Sequence, residues 1–264
     1  MSQGVGKPRA QMSTRQRPGR RFQPAEEAAL FDSAKQAAAQ LPGADAGVLG
    51  LTELHAPFGV PDFTVVVGDA GLRRVRLRLR VPPLLNEVDA GIVSVTPSES
   101  IASARQIAAR VRWPIATIER RLPGLLRTRA LREVEPNRFS RPTALEPIGT
   151  VYAIELKIDD WRRALVQCRT YRTWADSYVL IMQRVPASSL NELRQNVRRD
   201  GGGLIIGGDW LVSPRVAKLP RSRRLWASEH VVAACRRPAT SSPPAAHIEQ
   251  VLPSRAQPRR RPSD

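Results

Sequence analysis

Val151-Tyr152-Ala153-Ile154-Glu155-Leu156-Lys157 is the stretch on which the fold turns. It is apolar apart from Glu155 and Lys157, and it reads as a buried strand. Residues two apart on a strand share a face. Glu155 and Lys157 therefore project to one side with Val151 and Ala153, while Tyr152, Ile154 and Leu156 face the other. Placing a carboxylate and an ammonium together at the end of a buried strand is costly in desolvation, and such pairs often mark a functional site. The bland alternative is an ion pair at an exposed sheet edge. Lys157 is one of only four lysines, the others being Lys7, Lys35 and Lys218.

Downstream, the pattern predicts a helix over about 160–175, a strand over 178–182, a helix over about 188–198 and a Gly-bounded strand around 204–206. Gln167 and Tyr171 lie four apart on the first of these helices and share a face. Ordinary helix surface and core would place them there equally well. Upstream, residues 25–40 form a first helix with Glu26 and Glu27 in its first turn, stopped by Leu41-Pro42-Gly43. Two strands follow, 48–55 and 62–67, separated by Pro57-Phe58-Gly59. Pro61-Asp62 opens the second strand, so Asp62 is a further carboxylate at a strand start; shaping a turn is its plainer role. Val75 to Val81 alternates Arg with aliphatic residues and predicts an edge strand. Its Arg face suits either a phosphate backbone or protection against edge pairing.

Between about 84 and 142 the periodicity becomes helical. A helix over 84–95, a second over 101–111 capped by Ser100, and a third opened by Pro114 are followed by two short strands, 131–134 and 139–141, around a turn at 135–138. Pro123-Gly124 should kink or end the third helix. This order resembles winged helix-turn-helix domains. The resemblance implies a third helix entering a major groove, with Arg112, Thr117, Arg120 and Arg121 at the DNA and Arg138 and Arg141 on the wing. Protein binding is the other use of such modules.

Forty-two basic residues against 24 acidic give a net charge of +18, which points to a polyanion partner. Two cysteines, Cys168 and Cys235, exclude a disulfide framework and a Cys-rich zinc site and fit a reducing cytoplasm. His55, His230 and His247 are too dispersed for a zinc motif. No apolar run is long enough to span a membrane. Residues 1–24 read as a disordered basic arm and 237–264 as a disordered tail. Either could add phosphate attraction or simply be solvated.

Taken in order, Pro61-Asp62, Glu155-Leu156-Lys157 and Gln167-x-x-x-Tyr171 resemble the signature of the PD-(D/E)XK nuclease superfamily and its RecB-like members. The resemblance covers most of residues 25–210. It implies an α/β (α+β) restriction-endonuclease-like αβββαβ core in two parts, 25–83 and 148–236, with a winged helix domain inserted at 84–147. Asp62 and Glu155 are 93 positions apart, where the family has a short hairpin; the insertion would fill that gap if its ends lie close together. The implied activity is Mg²⁺- or Mn²⁺-dependent hydrolysis of DNA phosphodiesters. Asp62, Glu155 and the Leu156 carbonyl would be ligands, with Glu53 or an acid of the first helix, Glu26 or Glu27, as a further one. Lys157 would orient the attacking water, and Gln167 and Tyr171 would brace the site. The implied setting is the bacterial cytoplasm at the nucleoid, as a homodimer or within a repair or defence complex. The alternative is a non-catalytic DNA-binding regulator or scaffold on the same fold.

Overall fold

The computed structural model describes residues 24–217, 219–236 and 248–249. The basic arm, nearly all of the tail and the side chains of Glu26 and Glu27 lie outside these residues. Helix α1 (Pro24–Ala39) leads through a single 3-10 turn into β1 (Val48–Thr52) and β2 (Phe63–Val67). Helix α2 (Ala70–Arg78) follows, then a helical segment, α3 (Glu87–Val95), β3 (Ala102–Ser103), α4 (Ala104–Val111) and α5 (Ile115–Arg127), closed by β4 (Arg132–Glu135) and β5 (Arg138–Ser140). The chain then returns as β6 (Thr150–Lys157), α6 (Trp161–Tyr171), β7 (Ser177–Met182), α7 (Ala187–Asp200), β8 (Gly203–Ile206), β9 (Asp209–Val212) and α8 (Arg221–Arg236). Within the tail, Ile248–Glu249 pairs as β10 with β1, so at those two residues the structure departs from the disordered reading.

The molecule is mixed α/β. Its main sheet has the order β10-β1-β2-β6-β7-β8-β9. β1, β2 and β6 are antiparallel neighbours, β6, β7 and β8 run parallel, and β9 turns back on β8. The parallel pairs need crossovers, which α6 and α7 supply. Both faces of the central strands are buried, which is why β6 and β7 are near-continuously apolar. Leu30, Ala34, Ala37 and Ala38 of α1 cover one face, over Phe63, Val65, Tyr152, Ile154 and Leu156. The other face carries α6, α7 and α8 over Val151, Ala153, Tyr178 and Leu180. The alternation expected for β6 therefore holds residue by residue.

The segment 75–81 departs from expectation: residues 75–78 form the end of α2 and 79–81 leave it as a loop, with no edge strand. β2 already has β1 and β6 as neighbours, so no free edge exists beside it for this stretch to pair with. In the helix the arginines spread around the axis. Arg76 is fully buried and Arg73 nearly so, while Arg74 and Arg78 are exposed.

The helical segment has its own apolar centre, including Ile92, Ile107, Ile118, Leu122, Leu125 and Phe139. Asn86 caps α3 by accepting from Val88 N and Asp89 N. Ser103, not Ser100, caps α4, in a reciprocal capping box with Gln106. α5 continues through Pro123 to Arg127 instead of ending there. β3, β5 and β4 form a small antiparallel sheet in that order.

Helix α8, not foreseen from the sequence, joins the two parts. Leu225 and Trp226 lie in the apolar centre of the helical segment, and Ala227, Val231 and Val232 in that of the sheet. Glu229 accepts from Leu84 N at 2.8 Å, where the segment begins, and Ser228 Oγ accepts from Ile148 N at 2.8 Å, where it ends. The two ends are thus tied to adjacent residues of one helix. No helix among the described residues is long and apolar enough to cross a membrane.

Candidate functional site

β2 and β6 pair from Val67↔Thr150 to Phe63↔Ile154 and then part. Asp62 stands where they part, and its carboxylate continues the ladder by accepting from Leu156 N at 2.8 Å. A backbone donor that strand pairing would leave unmet is thereby satisfied, and the carboxylate is fixed beside the end of β6. This position explains why an Asp precedes the apolar run of β2.

Glu155 points from β6 toward α6 and is 1 % exposed. One carboxylate oxygen, Oε1, lies 2.5 Å from Lys157 Nζ. The other, Oε2, accepts from Tyr171 Oη at 2.7 Å. Lys157 Nζ also donates to the Leu156 carbonyl at 2.9 Å and stands 3.7 Å from Asp62 Oδ2. The ammonium therefore sits among three oxygens: those of Glu155, Leu156 and Asp62. Burial pushes the Glu155 carboxyl above the usual carboxylate range, and the neighbouring Asp62 charge adds to this; Lys157 and the Tyr171 hydroxyl oppose it. Burial, followed by the Glu155 charge, raises the Tyr171 phenol as well.

The support behind the site is aromatic. Tyr171 and Trp174 meet edge to face at 6.0 Å. Trp174 Nε1 donates to the Phe58 carbonyl at 2.9 Å, and the Val60 carbonyl is 3.4 Å from the Tyr171 hydroxyl. The loop before Asp62 is thus laid on the C-terminal end of α6 and the turn that follows it. Gly59 permits this: its φ is +78°, and a Cβ there would lie 2.9 Å from the Tyr171 ring.

Asp62, Glu155, Leu156, Lys157 and Tyr171 are brought together. Gln167, one turn before Tyr171, is half-buried, and its Oε1 has no hydrogen-bond partner among the described residues. Glu53 is not brought in. It is exposed at a left-handed bend, φ 48°, after β1, and no group of three or more His, Cys, Asp or Glu side chains able to hold a metal forms among the described residues.

The arginine set divides. Arg112 and Arg120 are exposed, Thr117 is partly exposed, and Arg138 is exposed with a 3.7 Å contact to Glu135. Arg121 is engaged by Asp89 through two hydrogen bonds of 2.7 and 2.6 Å. Arg141 must be withdrawn as a DNA contact. It is 2 % exposed and is bonded to the carbonyls of Thr96, Pro142 and Leu145 and to Glu146, so it locks the segment's interior. Phe58 and Val60 escaped the sequence reading. Their exposure beside the site follows from Trp174 and Tyr171 holding the loop, which no local pattern encodes.

No family model, no curated protein and no solved structure matches the chain.

Proposed function

We propose that the chain is a metal-dependent phosphodiesterase acting on DNA, with a PD-(D/E)XK-type core and an inserted winged helix. The observation that carries this reading is the position of the Lys157 ammonium among Glu155 Oε1, Leu156 O and Asp62 Oδ2. Two carboxylates and a carbonyl form a hard, all-oxygen donor set already gathered around one cation, and that chemistry suits Mg²⁺ or Mn²⁺. Asp62, Glu155 and the Leu156 carbonyl would hold the ion. When bound, it supplies Lewis acidity toward a phosphate and a water of lowered pKa. Lys157 then keeps a positive charge and a proton donor beside the reacting phosphate, and Tyr171 keeps Glu155 oriented. The order α1-β1-β2-β6-α6-β7 supports the core reading. The order α3-β3-α4-α5-β4-β5, with both ends tied to α8, supports the inserted winged helix. The net charge of +18 and the exposed Arg112, Arg120 and Arg138 support DNA as the polyanion.

One observation favours the scaffold alternative. Both Glu155 oxygens are already engaged, and no third acid joins the pair among the described residues. Cleavage of labelled single- and double-stranded DNA with Mg²⁺ or Mn²⁺ separates the two readings. Hydrolysis by the wild type, reduced by about 10²–10³-fold in Lys157→Ala and comparably in Glu155→Gln, supports the enzyme. Binding without cutting, equal in all three proteins, supports the scaffold.

A further inference from the structure

The loop between β1 and β2 carries two exposed apolar side chains, Phe58 at 44 % and Val60 at 45 %. It is not loosely held. The Phe58 carbonyl takes the Trp174 indole N–H, Gly59 rests on the Tyr171 ring, and the Val60 carbonyl lies by the hydroxyl that holds Glu155. The Phe58 ring itself meets Trp226 at 5.7 Å with planes at 90°. The Arg223 guanidinium lies over that same indole, 5.5 Å from its centre. A half-exposed aromatic ring thus stands on the loop whose backbone is laid against Trp174 and Tyr171, and the guanidinium on its neighbouring indole, Arg223, also pairs with Glu87 at 3.0 Å; the chain as a whole carries a net charge of +18. The partner that fits is flat, aromatic and joined to an anionic backbone.

The geometry points to Phe58 as a stacking platform for an unpaired nucleobase next to the phosphate that is cut. The preferred substrate is then single-stranded DNA, or a duplex with unpaired nucleotides at the site. An intact duplex keeps its bases stacked internally and offers this ring only sugar and phosphate, whereas every unpaired base has a free π-face. This inference rests on the hydrolase reading for the cut itself. The stacking contact does not require cutting.

The test uses the full-length chain in EDTA with an oligonucleotide carrying one 2-aminopurine, presented as a single strand and as a duplex. The expected result is a change of 2-aminopurine emission on binding the single strand and none on the duplex. Phe58→Ala and Phe58→Leu should each weaken single-strand binding about tenfold and leave duplex binding unchanged, and Phe58→Trp should restore it. Circular dichroism shows that each variant is folded; Phe58→Leu keeps the apolar bulk if Phe58→Ala does not fold. Unchanged single-strand affinity in the Ala and Leu variants overturns the inference. So does an equal loss on both DNAs, and so does failure of the wild type to bind DNA at low salt. The two readings fail separately. Stacking without cleavage in Mg²⁺ removes the hydrolase and keeps Phe58. Cleavage of intact duplex, undiminished in Phe58→Ala, removes Phe58's role and keeps the hydrolase.

Discussion

Glu155 is held against a strong desolvation cost by Lys157 on one oxygen and Tyr171 on the other. Its folded-state pKa lies above the ordinary value, so the folded protein binds this proton more tightly than the unfolded chain does. As pH rises from the ordinary carboxylate range through the raised value, this group therefore subtracts stability; as pH falls through the same window, stability returns. On the hydrolase reading proposed above, activity would run the other way, because only the carboxylate can hold a cation. Tyr171→Phe removes a hydroxyl donor that opposes the shift. The acid limb of the kcat/KM profile, measured at subsaturating metal, is expected to move to higher pH, and thermal melts at neutral pH should show a loss of about 1.5–3 kcal/mol from the unmet carboxylate oxygen. An unmoved acid limb would remove Tyr171 from the site. At this scale much was legible. The two-residue spacing of Glu155 and Lys157 and the four-residue spacing of Gln167 and Tyr171 follow from strand and helix periods alone. Arg141 was misread because charge does not reveal whether carbonyl groups surround it.

Elements were legible where their own pattern set them and illegible where neighbours did. β6, β7 and α6 lie where their apolar periodicity places them, within a few residues. The stretch 75–81 alternates as a strand should, yet its first four residues end a helix and the rest leave it as a loop, because strand pairing needs a free edge and β1 and β6 leave β2 none. α5 offers the reverse case. Pro123 should break it, but Ile118, Leu122 and Leu125 hold the helix on the segment's apolar centre on either side of the proline. The carbonyl of Glu119, four residues earlier, loses its helical partner as a result. Pro123→Ala restores that hydrogen bond while freeing the unfolded chain somewhat. The expected net gain is about 1–2 kcal/mol by chemical denaturation, below the roughly 3 kcal/mol of an isolated helix interior. A loss of stability would show that the helix needs the proline's shape at this position.

Across the whole molecule, α8 decides whether the helical segment and the sheet behave as one body. No amphipathic stripe announced this helix, because it is buried on several sides at once: Leu225 and Trp226 toward the segment, Ala227, Val231 and Val232 toward the sheet, and the polar Ser228 and Glu229 between them. Glu229 and Arg76 form a fully buried pair through contacts of 2.7 and 2.5 Å, and Glu229 also holds Leu84 N. Arg236 closes the same junction on the carbonyls of Arg76, Leu77, Leu79 and Val81. Removing one member of a buried pair strands the other charge, at a cost of about 3–5 kcal/mol. Glu229→Ala is therefore expected to lower stability by that amount, even though the residue touches none of the catalytic candidates. Because α8 supplies side chains to both apolar centres, residues 24–236 of the wild type should melt in a single calorimetric transition with van't Hoff and calorimetric enthalpies in agreement. Two resolved transitions in the wild type would show that the segment unfolds on its own. In that case the distance from its exposed arginines to Glu155 would be set by the connecting loops, 79–86 and 141–149, alone, and, on the DNA-processing reading proposed above, α8 would not fix where the segment presents DNA to the site.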